Sequence, residues 1–294
     1  MVADPFVSVL GRLGPQFDPA VLEATIAHWK PRVALRQKQQ SPSIDDIEYG
    51  GHTRHRMDLF PVQGSGAPIV LFVHGGGFIA GDKQAAPPFY ANVGRYFAAH
   101  GMLGACMNYR LAPTGGWPAA AQDIDSAVRW LLDRGDLYGG DPNRLVVLGQ
   151  SAGACHVATW LLEPRFAGGP RESLRATILM SGFFRAQAPL SPGQRAFFGD
   201  DERLYSARSP ISMARKLGLP LLVTIAEHDP PSLRAQGREL AEALVSAGCA
   251  ATLVDMPHHN HVSPLMSLGS DNDEVGARLR QFVAQATAAD QLIR

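Results

Sequence analysis

Ser151 stands in "GQSAG" (149–153), directly behind the apolar run "RLVVL" (144–148). A serine raised on a tight G-x-S-x-G turn can attack a carbonyl carbon if a base takes its proton and donors hold the resulting oxyanion. Small residues at 149 and 153 suit that turn, because a Cβ at either would collide with the neighbouring strand and helix. The serine itself must take an unfavourable backbone angle. The helix beginning at Ala152 aims its first amides at the same point, where negative charge is favoured. The same five residues also fit a plain strand-to-helix loop with a capping serine. The remaining chain decides by supplying, or failing to supply, the partners.

A candidate set of donors lies in "HGGGF" (74–78), which follows the apolar run "PIVLFV" (68–73) and so emerges at the same sheet edge as Ser151. Glycines let a backbone approach a ligand closely and turn two N–H groups toward one spot. A tetrahedral oxyanion needs that arrangement, and each donor is worth about 10²–10³ in turnover. A phosphate cradle is the competing reading, but no lysine follows at P-loop spacing and the motif is not G-x-G-x-x-G.

A candidate acid is Asp229 in "AEHDPP" (226–231), just past the run "PLLVTIAE" (220–227); Glu227, at the strand end, is the alternative. Aspartate before proline is also a common turn former. The stretch "PHHNHVS" (257–263) offers His258, His259 and His261 as bases. It reads less well as a metal site, lacking helical i, i+4 spacing and a companion Cys/His cluster.

Elements must bring these residues together. "DPAVLEATIAHWKPRVALRQK" (18–38) predicts a helix capped by Asp18 and kinked or broken near Pro31. Val21, Leu22, Ile26 and Trp29 share one face, and the segment is a candidate lid. "SIDDIEYG" (43–50) and "RHRMDLFPV" (54–62) flank the turn signal "GGHT" and predict an antiparallel hairpin. Short apolar runs at 68–73, 102–109, 144–149, 176–182, 220–227 and 251–257 then alternate with helical stretches. That rhythm predicts an α/β fold with a mostly parallel central sheet and helices on both faces. Ligands bind such sheets beyond the C-terminal strand ends. Residues 183–210 are too long for an ordinary connection, and their aromatic residues argue for an ordered cap insertion. The chain, 1–294, reads as one domain with a helical cap arm at 1–40.

Composition narrows the function. Lys plus Arg equals Asp plus Glu at 27 each, so no nucleic-acid partner is expected. Cys106, Cys155 and Cys249 are too few for a disulfide scaffold, although Cys155 is near enough to Ser151 to sense or disturb it. The N-terminus does not read as a signal peptide, and no apolar run is long enough to cross a membrane. The expectation is a soluble cytoplasmic protein, its oligomeric state open, a homodimer among the candidates.

With "HGGGF" and "GDK" (81–83), "YRLAP" (109–113), "GGDPNRLVVLGQSAG" (139–153), and "AEHDPP" followed by "HNHVS" in order, the chain resembles the α/β-hydrolase fold. More narrowly, it resembles the hormone-sensitive-lipase-like esterases and the related kynurenine-formamidase-like and feruloyl-esterase-like group over roughly residues 43–290. The resemblance implies Ser151 as nucleophile, Asp229 as acid, and His261 rather than His259 as base, the last by register from "LAEAL" (240–244). It implies amides of Gly76, Gly77 and Ala152 as the oxyanion hole. Gln150, where many lipase-like members carry Asp or Glu, "VS" after the histidine, and "PSLRAQG" after Asp-Pro are departures toward the formamidase-like and feruloyl-esterase-like branch.

The expectation is a serine hydrolase cleaving carboxylic esters of small to medium acyl or aryl substrates, working through an acyl-enzyme without cofactor or metal. An arylformamidase with the same triad is the alternative, and a binding protein on a hydrolase scaffold a third reading. Phe78, Gln150, Phe183, Phe184 and Tyr205 are expected to contact substrate, with Trp29 and the rest of the cap aromatics as further pocket candidates. His74 and Asp82 are expected to brace the glycine loop. Tyr109 and Arg110 are expected in buried pairings, with Asp123 and Asp125 in structural roles.

Overall fold

The strand "APIVLFV" divides its side chains between two cores. Ile69, Leu71 and Val73 join one apolar cluster, and Val70 and Phe72 join another. A strand buried on both faces needs this unbroken apolar run. The protein is seen in a computed structural model that describes residues 5–37 and 43–288. Its elements are α1 (Pro5–Leu13), α2 (Pro19–Gln37), β1 (Ile44–Glu48), β2 (Arg56–Phe60), β3 (Ala67–Val73), α3 (Ala91–Ala99), β4 (Leu103–Met107), α4 (Ala119–Arg134), β5 (Gly140–Gln150) and α5 (Ala152–Leu162). They continue with β6 (Leu174–Met180), α6 (Pro192–Phe198), α7 (Tyr205–Arg208), β7 (Leu221–His228), α8 (Pro231–Ser246), β8 (Ala251–Asn260), α9 (Ser263–Met266) and α10 (Glu274–Thr287).

The strands form one eight-stranded sheet in the order β1-β2-β4-β3-β5-β6-β7-β8. β2 runs antiparallel to β1 and β4, and every later pairing is parallel. Helices α4, α5 and α8 pack on one face, and α3 and α10 on the other. The expected α/β-hydrolase architecture is therefore present, hairpin entry included. β8 extends to Asn260, three residues past the expected end, by a register shift between Ala226 and His228 that keeps Asn260 paired with His228. The extension carries the histidine stretch along β7 to the sheet edge at which Ser151 stands.

Pro31 does not break its helix: α2 runs through it from Pro19 to Gln37. Thr25, Trp29 and Val33, spaced by four residues, are buried along one stripe. Arg32 Nη1 donates to the His28 carbonyl (2.6 Å), next to the carbonyl that Pro31 leaves without its N–H donor. Packing outweighs the local proline penalty here. Residues 1–4 and 38–40 of the expected cap arm lie outside the described residues. Within the arm, Phe6, Leu10, Trp29 and Val33 pack with Phe89, Val262 and Met266. The 183–210 segment contributes Phe197, Phe198 and Tyr205 to a separate cluster with Phe78, Ala152 and Cys155.

Candidate active site

β5 ends at Gln150 and α5 begins at Ala152, so one residue makes the whole reversal. Ser151 makes it at φ 55°, ψ −120°, a conformation that costs a non-glycine residue about 1–3 kcal/mol. The turn is held by the Ser151 N–H on the Met180 carbonyl (2.9 Å) and by close packing. A Cβ on Gly153 would lie 2.2 Å from the Val73 carbonyl oxygen.

His261 Nε2 is 2.8 Å from Ser151 Oγ, and His261 Nδ1 is 2.7 Å from Asp229 Oδ1. The carboxylate accepts, so Nδ1 carries the proton and Nε2 is left to receive the serine's. Asp229 is fully buried. Its second oxygen accepts from Ser181 Oγ (2.6 Å) and the Ala226 N–H (2.7 Å). Ser181 escapes sequence reasoning because nothing in "ILMSG" marks its role. Only the strand order, which lays β6 beside β7, brings it to Asp229.

The other histidines have separate duties. His259 Nδ1 pairs with Ser263 Oγ (2.9 Å), and its ring stacks on Trp29 at 6.2 Å. His258 is exposed, and its N–H donates to Glu227 (2.7 Å), which takes that carboxylate away from the triad. Asn260 ties the histidine loop to the arm: its Nδ2 donates to Thr25 Oγ1 (2.8 Å), while its Oδ1 accepts from the N–H groups of Val262 and Ser263.

The glycine loop is braced on every side. Gly76 sits at φ +140°, and a Cβ there would come within 2.0 Å of the Ala80 carbonyl oxygen. Tyr109 Oη donates to the His74 carbonyl (2.7 Å), and His74 Nδ1 donates to the Gly75 carbonyl (2.6 Å). Asn108 bonds Asp82 Oδ2 (2.7 Å) and the Lys83 N–H (2.7 Å), and Lys83 Nζ pairs with buried Asp58 (2.7 Å). Arg110 pairs with buried Asp123 (2.6 Å), and Asp125 accepts from Trp160 Nε1 (2.9 Å).

A cavity of about 440 Å³ opens over Ser151, with Gly76, Gly77, Ala152, Phe78, Phe183 and Gln150 in its wall. Gln150 is not free for substrate at its amide nitrogen, which donates to the His261 carbonyl (2.9 Å) and pins that residue's main chain. Phe184 is fully buried in the main core under the sheet, and Tyr205 faces the cap cluster with its hydroxyl on the Gly199 carbonyl (3.1 Å). Neither lines the cavity, nor does Trp29. A run of aromatics cannot by itself show which ones turn inward. Phe17, unremarked in the sequence, does line it: 42% exposed, its ring stands edge-on to His261 at 4.7 Å.

Behind the glycine loop lie two buried neutral imidazoles. His156 is enclosed by Phe78, Tyr109 and Phe197, and neither ring nitrogen has a hydrogen-bond partner among the described residues. Burial lowers its pKa to about 3 and that of His74 to about 4. Both are depressed below the unfolded value near 6.5, so between that pH and the folded pKa the unfolded chain binds more protons. Stability is therefore full above about pH 6.5 and declines as pH falls toward 4. His156→Leu removes one of the two groups and an unsatisfied pair of nitrogens. Its Tm, followed from about pH 7.5 to about pH 4.5, is expected to fall less than the parent's; parallel curves would show that His156 does not carry the acid sensitivity.

The profile of the prolyl oligopeptidase family matches residues 118–289, more than half the chain, and the BD-FAE profile matches residues 57–161. Carboxylesterase NlhH of Mycobacterium tuberculosis is 31% identical over 262 residues, covering 78% of this chain and 80% of NlhH. The chain belongs to the α/β-hydrolase esterases of the hormone-sensitive-lipase-like group. Esterase LipQ of the same organism is 28% identical over 261 residues, covering 80% of this α/β-hydrolase but 61% of LipQ, so the chain spans less than two thirds of that relative. A hyperthermophilic esterase from Pyrobaculum calidifontis shares the fold with a TM-score of 0.75 at 23% identity, over 97% of this chain and 98% of that one.

Proposed function

We propose that this α/β-hydrolase is a serine carboxylesterase for small to medium neutral acyl or aryl esters. The observation that carries the reading is the continuous chain Ser151–His261–Asp229 opening into an apolar-walled cavity. His261 Nε2 takes the Ser151 proton as Oγ bonds to the carbonyl carbon. The C=O electron pair moves onto oxygen, where the Gly76, Gly77 and Ala152 amides are assigned as donors. Ala152, as the first residue of α5, has an N–H with no intrahelical acceptor. The tetrahedral centre collapses, the alcohol leaves with the proton from His261, and an acyl-serine remains. Water repeats the sequence and frees the acid. Three free, buried cysteines fit work in a reducing compartment such as the cytoplasm.

The test pairs a serine-directed fluorophosphonate, its adduct located by mass spectrometry, with turnover of a nitrophenyl ester and of N-formylkynurenine. The adduct is expected on Ser151 and the ester is expected to be the better substrate. Preference for the formamide would replace this reading with an arylformamidase on the same triad.

A further inference from the structure

Tyr90 is the one polar side chain in the cavity wall that is buried, lies outside the triad, and has no hydrogen-bond partner among the described residues. It is 8% exposed and lines the cavity. Its hydroxyl is not sealed away in the core, so it is open to the space that its ring lines. The ring is fixed from below: it lies parallel to His74 (6.4 Å, 9°) and meets Phe72 edge-on (5.3 Å). Other polar side chains in the wall are occupied or wet. Gln150 holds the His261 carbonyl, while Ser191 and Gln194 cap α6 at the solvent-facing rim. Among the described residues, none that lines the cavity is Asp, Glu, Lys or Arg, and Leu22, Ile26, Phe89, Val262 and Met266 make much of the rest of the wall apolar.

A ligand that fills this cavity without offering the lone hydroxyl a polar atom leaves it unsatisfied, whereas one that places an oxygen there does not. We propose that Tyr90 is a specificity-determining residue that hydrogen-bonds an uncharged oxygen substituent, a hydroxyl or a second carbonyl, on the ester substrate. The substrate class is then oxygenated neutral esters rather than plain alkyl ones. This rests on the esterase reading. The hydroxyl stays protonated, since burial raises its pKa to about 12, so it can donate as well as accept. A carboxylate or ammonium on the substrate would find no counter-charge in this wall.

The experiment compares the parent and Tyr90→Phe on two ester pairs. One pair varies the acyl side, 4-nitrophenyl pentanoate against 4-nitrophenyl 4-oxopentanoate. The other varies the alcohol side, butyl acetate against 3-hydroxybutyl acetate. Phenylalanine keeps the ring and its stacking and removes only the hydroxyl. The parent is expected to favour the oxygenated member of at least one pair by about three- to tenfold in kcat/KM. In Tyr90→Phe that ratio is expected to fall to about one. The ratio is independent of how much variant folds, because both esters meet the same active molecules. No preference in the parent, or the same preference in the variant, overturns the role of Tyr90. A parent that turns over none of the four esters defeats the esterase reading instead.

Discussion

Ser151→Ala is expected to lower kcat for ester hydrolysis by about 10⁴–10⁶ and to abolish the fluorophosphonate adduct. Alanine removes the atom 2.8 Å from His261 Nε2 and leaves the rest of the turn in place. What activity survives comes from the oxyanion donors and from water activated by His261, a much poorer route because water must be positioned afresh. The variant retains the positive φ, and with it the strain, so it should be no more stable than the parent by more than a few tenths of a kcal/mol. Ser151→Gly removes that penalty at a small entropic cost and should unfold at higher urea, by about 1 kcal/mol relative to Ser151→Ala. Turnover by Ser151→Ala within about tenfold of the parent would remove Ser151 from the mechanism.

Asp229→Asn should cost about 10⁴ in kcat, although it changes the shape of the site hardly at all. The reason lies in the two donors on Oδ2. Ser181 Oγ–H and the Ala226 N–H both point at that oxygen, so the introduced amide must place its carbonyl there. Its nitrogen then faces His261 Nδ1 and donates to it. The imidazole is forced into the tautomer with its proton on Nε2, and it can no longer accept from Ser151. Adding Ser181→Ala to Asp229→Asn leaves the Ala226 N–H on that oxygen, so the amide keeps its orientation and the double variant should recover little of the loss. Activity of Asp229→Asn close to the parent's would mean that another group orients His261.

Much of this site was legible as sequence because its parts are local. A buried run followed by G-x-S-x-G, or by H-G-G-G-F, encodes both a strand and what sits on its end. The parallel sheet then needs only strand order to bring Ser151, Asp229 and His261 together. What stayed hidden depends on contacts between segments distant in sequence. Ser181 gains its meaning from β7 lying beside β6, and Gln150 from the main chain of His261, 111 residues away. Phe184 and Tyr205 were expected in the pocket because aromatics dominate that segment, but the backbone turns them into the cores. Pro31 suggested a broken or kinked helix, and the buried stripe of α2 carries the helix through it unbroken. Residue types alone did not choose among His258, His259 and His261; the family register did, and the β7–β8 register shift beside them leaves no mark in composition.

Phe17, Leu22 and Ile26 of the arm, and Phe183 beside the cap, complete a cavity whose reacting groups all stand on strand ends. Most of those wall residues lie outside the strand–turn–helix units that hold the triad. An exchange at Phe17 or Ile26 alters the volume seen by a substrate without moving Ser151, Asp229 or Ser181. Under the esterase reading, selection can thus retune what the cavity accepts at these wall positions while Ser151, His261 and Asp229 stay as they are.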